Sequence, residues 1–356
     1  MILVTGGAGF IGANFVLDWL AESSEPVLNL DALTYAGNLE SLSSLDGDPR
    51  HVFVHGDITD RALLDQLFAT HKPRAVVHFA AESHVDRSIH GPGAFIHTNV
   101  QGTFTLLEAA RGFWSTLAGS ERERFRFHHV STDEVYGSLG PGDAPFTETH
   151  LYEPNSPYSA SKAASDHLVS AWHHTYGLPV VLTNCSNNYG PWQFPEKLIP
   201  VVILKAVAGE PIPLYGDGAN VRDWLYVEDH VEALLLAATR GRLGESYCVG
   251  GAGDHGSPSE RTNRDVVETI CALMDQLRPQ GAPHARLITR VGDRPGHDRR
   301  YAIDAAKITT ELGWKPRHSF EQGLEATVRW YLEHLDWCGE VRDRAGYSGE
   351  RIGEKT

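Results

Sequence analysis

The fold of this chain is decided by its first dozen residues, which include Ile2-Leu3-Val4-Thr5-Gly6-Gly7-Ala8-Gly9-Phe10-Ile11-Gly12. The apolar run predicts a buried strand, and residues 13–20 carry apolar side chains at helical spacing. Between them, Gly7-x-Gly9-x-x-Gly12 matches the pattern that permits a tight turn and close approach of a dinucleotide pyrophosphate. A glycine turn of purely structural use is the alternative at this point.

The second predicted strand, residues 27–30, ends in Asp31, 19 residues beyond Gly12. A carboxylate at this distance can accept a hydrogen bond from the ribose 2′-hydroxyl of NAD, and it would repel the 2′-phosphate of NADP. Because strand, glycine turn, helix and acid occur in the expected order, the sequence favours NAD binding over a structural turn.

Strands and helices continue to alternate along the first half of the chain. Nearly continuous apolar strands separated by helices indicate a parallel sheet covered on both faces, which is a Rossmann-like doubly wound α/β fold. In such a sheet, ligands bind beyond the carboxyl ends of the strands. The further strands are predicted at 51–54, 75–79, 125–130 and 180–183, and the helices at 61–70, 95–110 and 156–176.

The chain changes character after residue 186, where amides and turn residues become dense. The sequence predicts an NAD-binding domain over 1–186, to which the chain returns near 222–248. A smaller substrate-binding domain over 187–340 and a loosely ordered tail over 341–356 complete the division. Short strands are predicted at 212–215, 223–227 and 247–249, and a helix at 227–238. The Gly- and Pro-rich residues 138–157 read as a long ordered loop.

Two adjacent acids follow the fifth predicted strand in Ser131-Thr132-Asp133-Glu134-Val135-Tyr136-Gly137. In a continuing strand, Asp133 and Glu134 would point to opposite faces, so both can reach one ligand only if the backbone turns there. An ordinary polar end of a strand is the alternative. The next helix places Tyr158 and Lys162 one turn apart on one face, just after the sheet edge that holds Thr132 and the acids.

Composition restricts the class of protein. A formal net charge of −15 argues against a nucleic-acid partner. The four cysteines are far apart and the histidines lack the His-Glu-x-x-His spacing, so no metal site is expected. The chain shows neither a signal peptide nor an apolar run long enough to span a membrane, which predicts a cytoplasmic protein.

Three of these features together resemble the extended short-chain dehydrogenase/reductase family. They are the glycine turn, Thr132 with Tyr158-x-x-x-Lys162, and Asn187-Asn188-Tyr189-Gly190-Pro191. Residues 31–38, the Asp133-Glu134 pair and residues 293–301 are similar to the branch of that family that dehydrates dTDP-glucose. The resemblance covers about residues 1–335. Two departures are a longer insertion between Gly250 and Asn263, and Trp192 where Tyr or Phe is usual.

The resemblance implies an NAD-dependent lyase that converts dTDP-glucose into dTDP-4-keto-6-deoxyglucose and water. Tyr158 would be the base for oxidation at C4, with its pKa lowered by Lys162 and by the nicotinamide, while Thr132 holds the C4 oxygen. Glu134 would remove the C5 proton, and Asp133 would protonate the departing C6 hydroxyl. Hydride returned to C6 would leave the cofactor unchanged.

The resemblance also implies two sets of binding residues. NAD would contact Gly6, Gly9, Phe10, Ile11, Gly12, Asp31, Thr34, Asp57, Ile58, Ala80, Ala81, Ser83, Thr98, Tyr158 and Lys162. The nucleotide sugar would contact Ser83, Thr132, Asn187, Lys197, Leu198, Pro213, Tyr215, Arg222, Asn263, Asp293, Arg294 and His297. For Asp57, considered by itself, a simple turn is an equal alternative.

Other activities remain open at the level of sequence. A dehydratase, epimerase or decarboxylase acting on a UDP-sugar is the nearest alternative, although epimerases of the family lack the acid pair. A catalytically silent NAD-binding regulatory protein is the alternative from another class, and it would need only the glycine turn and Asp31. The resemblance further implies a homodimer that pairs the helices at 95–110 and 156–176.

Overall fold

The computed structural model describes residues 1–251, 259–293, 296–347 and 349. Its main sheet has seven strands, all parallel to their neighbours, and two small sheets lie beside it. The strands are β1 (Ile2–Thr5), β2 (Val27–Asp31), β3 (His51–His55), β4 (Ala75–His78), β5 (Arg126–Thr132), β6 (Val180–Cys185), β7 (Asn187–Tyr189), β8 (Ile212–Tyr215), β9 (Val221–Tyr226), β10 (Ser246–Val249), β11 (Glu260–Thr262) and β12 (Ile288–Val291).

The main sheet has the order β10-β6-β5-β4-β1-β2-β3, with helices on both faces. This arrangement confirms the predicted Rossmann-like α/β fold. The helices are α1 (Phe10–Glu22), α2 (Arg61–His71), α3 (Val85–His90), α4 (Pro92–Phe95), α5 (Thr103–Thr116), α6 (Gly119–Arg124), α7 (Pro157–Tyr176), α8 (Leu198–Ala208), α9 (Val227–Arg240), α10 (Asn263–Leu277), α11 (Ala306–Leu312), α12 (Phe320–Glu333) and α13 (Leu335–Ala345).

The smaller region contains the other two sheets, in the orders β11-β9-β7 and β12-β8. Its core is made by aromatic and aliphatic side chains from α8, α10, α12 and the short strands, including fully buried Tyr189 and Tyr331. Strand β10 does not belong to this region, because it pairs with β6 at the edge of the main sheet. Helix α9 likewise packs against α1 and the main sheet.

The order in which strands are added to the sheet reverses at β1, which lies between β4 and β2. Strands β2 and β3 extend the sheet on one side of β1, and β4, β5 and β6 extend it on the other. Ligands bind at such a switch point because the connections leaving the neighbouring strands diverge and open a crevice. Gly6 follows β1 with a φ of +75°, and a Cβ there would lie 2.5 Å from the amide nitrogen of Ala80, just after β4. The crevice therefore depends on glycine at this turn.

The predicted helix at 95–110 is wrong in detail. Residues Ile96–Gly102 form a π-helical segment between α4 and α5, and α5 extends to Thr116. The wider turn agrees with two contacts of this segment: Asn99 accepts a hydrogen bond from the amide of Glu82 at 2.9 Å, and Gly102 lies against Ile58. Neither contact is visible in the local sequence pattern.

The predicted loop at 138–157 is held to the rest of the protein by backbone hydrogen bonds. The Leu139 amide donates to the Arg300 carbonyl at 3.0 Å, and the Phe146 amide donates to the Ala302 carbonyl at 2.9 Å. Strand β10 adds a third attachment, because the Cys248 amide donates to the Glu148 carboxylate at 2.7 Å. Segments distant in sequence thus support the loop that follows the acid pair.

The predicted tail begins too early, because residues 341–345 continue helix α13 and Val341 is fully buried. Most of the insertion between Gly250 and Asn263 lies outside the described residues. Within the described part of the chain, every helix is too short or too polar to cross a bilayer.

We expect Gly12→Ala to lower the free energy of unfolding by about 2 kcal/mol, because a Cβ there would overlap the Gly6 carbonyl oxygen. Gly339→Ala is the matched control, since Gly339 is an exposed helical residue with nothing within 4 Å of its Cβ position. The control should change stability by less than about 1 kcal/mol. Urea unfolding measures both variants, and equal effects would contradict the packing argument.

Candidate active site

One cavity opens at the carboxyl ends of the main-sheet strands and continues toward β7 and α8. Its walls include the glycine turn, the acid-pair segment after β5 and one face of α7. All fifteen residues that the sequence assigns to the cofactor line it: Gly6, Gly9, Phe10, Ile11, Gly12, Asp31, Thr34, Asp57, Ile58, Ala80, Ala81, Ser83, Thr98, Tyr158 and Lys162. The fold thus brings together residues that are spread over more than 150 positions.

The N-terminus of α1 points its first amide groups toward this cavity without a capping side chain. Its N-cap residue is Gly9, and the first turn contains no acidic residue. Free amides and the positive end of the helix dipole favour an anion. The local geometry therefore fits a dinucleotide pyrophosphate.

Asp31 closes the glycine turn from the second strand. Its carboxylate accepts hydrogen bonds from the amides of Ala8 at 2.9 Å and Leu33 at 2.8 Å. Burial raises the pKa of Asp31, and these two bonds oppose that rise. Each carboxylate oxygen can accept a further bond, which fits recognition of a ribose hydroxyl. Asp57 stabilises the turn after β3, because its carboxylate accepts a hydrogen bond from the Thr59 amide at 2.8 Å. It also lines the cavity.

Strand β5 ends at Thr132, and the residues Asp133–Tyr136 form a 3-10 turn. The Thr132 hydroxyl caps this turn by accepting from the Glu134 amide at 3.2 Å, and it donates to Asp133 Oδ1 at 3.3 Å. Thr132, Asp133 and Glu134 all line the cavity. The turn thus resolves the problem of two adjacent side chains that would face apart in a strand.

The two acids have different environments. Asp133 is only 1% exposed, and its Oδ2 has no hydrogen-bond partner among the described residues. Burial raises the pKa of Asp133 well above its usual range, the charges of Glu134 and Asp223 raise it further, and Arg222 lowers it. Glu134 is less buried. Asp133 is therefore suited to hold a proton beside an acid that can accept one.

Tyr158 and Lys162 face the cavity from the first turns of α7. The Lys162 ammonium donates to the Val130 carbonyl at 2.9 Å. Burial raises the pKa of Tyr158 well above 10, as does the charge of Glu134, while a hydrogen bond with Thr132 lowers it. In the chain by itself, burial outweighs the other influences on the pKa of Tyr158. The lowering expected from Lys162 together with the nicotinamide stays a prediction.

The predicted substrate residues fall into two groups. Ser83, Thr132, Asn187 and Lys197 line the cavity, and Leu198 follows as the first residue of α8. The others lie on the smaller region beside it: Pro213 and Tyr215 on β8, Arg222 on β9, Asn263 at the start of α10, and Asp293 and His297 after β12. Arg294 lies outside the described residues.

Contacts within the smaller region keep this second group together. The Tyr215 and His297 rings lie 6.4 Å apart, and His297 Nδ1 lies 2.6 Å from Asp293 Oδ1. Buried Arg222 stacks on Tyr301 at 4.4 Å, and its charge reaches Asp133. This group therefore adjoins the acid pair without lining the main cavity.

Several cavity residues are absent from the sequence-based set, notably Glu82, Cys185, Ser186, Asn188, Gln193, Phe194 and Glu196. Ser186 Oγ and Asn187 Oδ1 are buried without hydrogen-bond partners in the described part of the chain, which fits a polar ligand. Glu196 pairs with Arg87 at 3.0 Å. Most of these missed residues lie within a few positions of the amide-rich segment or of Lys197, and this closeness in sequence could have indicated them.

Comparisons with known proteins agree with this geometry. A family model described as GDP-mannose 4,6 dehydratase matches residues 3–327. A dTDP-glucose 4,6-dehydratase from Xanthomonas campestris pv. campestris (strain B100) is 62% identical over 353 residues, covering 99% of this chain and 98% of that protein. The chain belongs to the dTDP-glucose 4,6-dehydratase family.

Further members of this family support the assignment. The dTDP-glucose 4,6-dehydratase of Neisseria meningitidis serogroup B (strain ATCC BAA-335 / MC58) is 56% identical over 356 residues, covering 99% of this chain and 98% of that protein. The solved structure of the Bacillus anthracis str. Ames enzyme in complex with NAD has a TM-score of 0.83 and 45% identity, covering 96% of this chain and 99% of that one.

A UDP-glucose 4-epimerase of Thermus thermophilus, solved as a complex with NAD, is more distant. Its TM-score is 0.78 and its identity is 32%, and the match covers 93% of this chain and 98% of that one. Dehydratases and epimerases therefore share this fold, and the higher identity lies with the dehydratases.

We expect Asp133→Asn to stabilise the protein increasingly as the pH rises. Because the folded pKa of Asp133 lies above its unfolded value, the wild type loses stability from about pH 4 up to that folded pKa. The gain of the variant should be at least about 1 kcal/mol larger at about pH 8 than at about pH 5. Exposed Asp46, changed to Asn, is the control, and a gain independent of pH would argue against a protonated Asp133.

Proposed function

We propose that this protein is an NAD-dependent dTDP-glucose 4,6-dehydratase, which converts dTDP-glucose into dTDP-4-keto-6-deoxyglucose and water. The observation that carries the proposal is the 3-10 turn that places Asp133 and Glu134 on the same cavity as Thr132, Tyr158 and Lys162. Relatives at 53–62% identity carry the same activity in their names.

The residues that would hold NAD are the glycine turn, Asp31 and the cavity face of α7. When bound, NAD supplies a hydride acceptor at C4 of the hexose and later the hydride donor at C6. The uncapped amides of α1 would bind the pyrophosphate, and Asp31 would accept a hydrogen bond from the adenosine ribose. Lys162 has two ammonium protons besides the one given to Val130, and these would donate to the nicotinamide ribose.

In the oxidation step, Tyr158 takes the proton of the C4 hydroxyl. The phenol hydrogen-bonds with Thr132, so the same threonine can orient the phenol and hold the C4 oxygen. Burial makes the free phenol a poor acid. The neighbouring positive charges of Lys162 and the oxidised cofactor favour its ionised form during the reaction.

In the elimination step, Glu134 removes the C5 proton that the C4 ketone has made acidic. Asp133 gives its proton to the C6 hydroxyl, which leaves as water while a C5–C6 double bond forms. Afterwards C6 receives the hydride while Glu134 returns its proton to C5. The proton that Tyr158 gained balances the one that Asp133 gave to the departing water, so the cycle closes when it passes to Asp133 by way of solvent. The raised pKa of Asp133, caused first by burial and then by the charge of Glu134, supports Asp133 as the acid and leaves Glu134 as the candidate base.

Other nucleotide-sugar activities are weaker candidates. An epimerase or decarboxylase has no need of the acid pair, and a regulatory NAD-binding protein has no need of Tyr158 or Lys162. Arg222 is the candidate partner for the substrate phosphates, because guanidinium binds phosphate in a bidentate manner. The preference for thymine over uracil is part of this proposal, and it rests on the names of the similar proteins.

We also propose a cytoplasmic homodimer. All four cysteines are buried and free, as expected in a reducing compartment. Apolar side chains are exposed on the two helices that the resemblance pairs across a dimer: Phe104 on α5 is 39% exposed and Tyr176 on α7 is 46% exposed. Ile96, in the π-helical segment before α5, is 53% exposed.

We expect the wild type to move deuterium from C4 of dTDP-glucose to C6 of the product, followed by mass spectrometry. With Glu134→Gln, turnover should fall on the order of 10²-fold or more, while near-ultraviolet absorbance of reduced nicotinamide accumulates. The physical reason is that oxidation at C4 needs Tyr158, whereas elimination needs Glu134.

Tyr158→Phe is the matched control, because it should prevent the absorbance as well as the product. Label retained at C4, or a C4 epimer as product, would refute the proposed activity. Normal turnover by Glu134→Gln would refute only the assignment of the base.

We expect Phe104→Glu to convert the dimer into monomers at micromolar concentration. An unpaired charge buried at an interface weakens the free energy of association by roughly several kcal/mol. Leu243→Glu is the control, since Leu243 is 43% exposed and belongs to the connection between α9 and β10, outside α5 and α7. Analytical ultracentrifugation distinguishes the two species. A wild-type monomer, or dissociation by both variants, would contradict the proposed interface.

A further inference from the structure

A buried carboxylate, Asp166, lies behind the active site and is not used by the mechanism above. It is 2% exposed and four side chains surround it. Oδ1 lies 3.1 Å from His129 Nε2, and Oδ2 accepts from Ser131 Oγ at 2.9 Å, Tyr152 Oη at 3.0 Å and Asn184 Nδ2 at 3.2 Å. Four donors match the accepting capacity of an ionised carboxylate.

These donors connect Asp166 to the end of β5. Ser131 directly precedes Thr132, and Asn184 Nδ2 also donates to the Thr132 carbonyl at 3.1 Å. Tyr152 belongs to the loop that follows the acid pair. Asp166 therefore joins helix α7, strand β6 and that loop to the residue at which the 3-10 turn begins.

Asp166 also lies one helical turn after Lys162, on the same face of α7. We propose that Asp166 is a positioning residue for the dehydratase reaction, because its carboxylate both fixes the end of β5 and balances the Lys162 ammonium. The expected effect on catalysis rests on the proposed function. The geometry of the inference rests only on the contacts described above.

The charges around Lys162 support this assignment. Burial lowers the pKa of Lys162, whereas the charge of Asp166 opposes that effect most strongly and Cys185 does so less. Burial raises the pKa of Cys185, so it remains a thiol at neutral pH. Without the carboxylate, the ammonium would be desolvated with little compensation.

The histidines beside Lys162 supply no competing charge. Burial lowers the pKa of His129 to about 4, as does the charge of Lys162, and it lowers the pKa of His78 well below its usual value. Neutral His129 in the Nε2-protonated tautomer donates to Asp166. On the same helix as Lys162, burial raises the pKa of Tyr158, which disfavours a competing phenolate charge in the chain by itself.

Asp166 also lines a second cavity, between the loop and the part of the main sheet formed by β6 and β10. Tyr136, whose pKa burial raises, feels the charge of Asp166 from the 3-10 turn. The titratable residues that line this cavity with Asp166 are Glu148, His150, Tyr152, Glu153, His167 and Glu245. None of them is among the influences on the pKa of Lys162.

The test compares Asp166→Asn, which removes the charge, with Tyr152→Phe, which removes one hydrogen bond and keeps the charge. In protein labelled with ¹³C at lysine Cε, the Lys162 resonance is assigned with Lys162→Arg and followed against pH. We expect Lys162 of Asp166→Asn to lose its proton at lower pH than in the wild type, and Lys162 of Tyr152→Phe to titrate as in the wild type.

The kinetic readout uses the same pair of variants with dTDP-glucose. Because the deprotonated amine cannot support Tyr158, kcat of Asp166→Asn should fall on the order of 10-fold more at about pH 9 than at about pH 7. The pH profile of Tyr152→Phe should keep the wild-type shape. Asp166→Glu restores the charge on a longer side chain, so it should recover the Lys162 titration while kcat stays reduced.

Three results would overturn the inference. They are an unchanged Lys162 titration in Asp166→Asn, an equal shift in Tyr152→Phe, or a neutral Lys162 at about pH 7 in the wild type. The last measurement decides the matter even if Asp166→Asn fails to fold. Absence of turnover by the wild type would refute the proposed function instead, and the Lys162 titration would still test Asp166.

Discussion

The close approach of Gly12 to the Gly6 carbonyl is the constraint on which this structure depends. It lets α1 start directly behind β1, with its free amides at the centre of the sheet. The same turn leaves room for Ala80 after β4, so the connections that follow β1 and β4 approach each other closely at the base of the crevice. The walls of the active site are then continuations of strands whose positions the sheet already determines.

Within that frame, burial assigns the chemistry. Asp133, Tyr158 and Lys162 are each almost fully enclosed, and enclosure favours the uncharged form of every one of them. The protein opposes this tendency selectively. Asp133 is left with a neighbouring acid that strengthens its hold on a proton, whereas Lys162 has a carboxylate one turn away. Similar degrees of burial thus raise the pKa of Asp133 and lower that of Lys162, and the charge of Asp166 opposes the second shift.

The fold and the cofactor end of the site could be predicted from sequence, because they depend on local patterns. Glycine spacing, the apolar strands and Asp31 are each readable within about thirty residues. The π-helical segment was missed because it depends on Glu82 and Ile58. Glu196 and Asp166 were missed because the role of a buried acid depends on partners far along the chain. The rise that burial causes in the pKa of Tyr158 was not foreseen, because local sequence does not report burial.

The attachments of the loop after the acid pair have a consequence for synthesis on the ribosome. The glycine turn, Tyr158 and Lys162 all emerge before β7, whereas Cys248, Arg300 and Ala302, which secure the loop, emerge much later. During synthesis from the N-terminus, the residues assigned to the cofactor are therefore made before the segments that secure the loop beside Asp133 and Glu134. The loop can be fixed only after those later segments have left the ribosome.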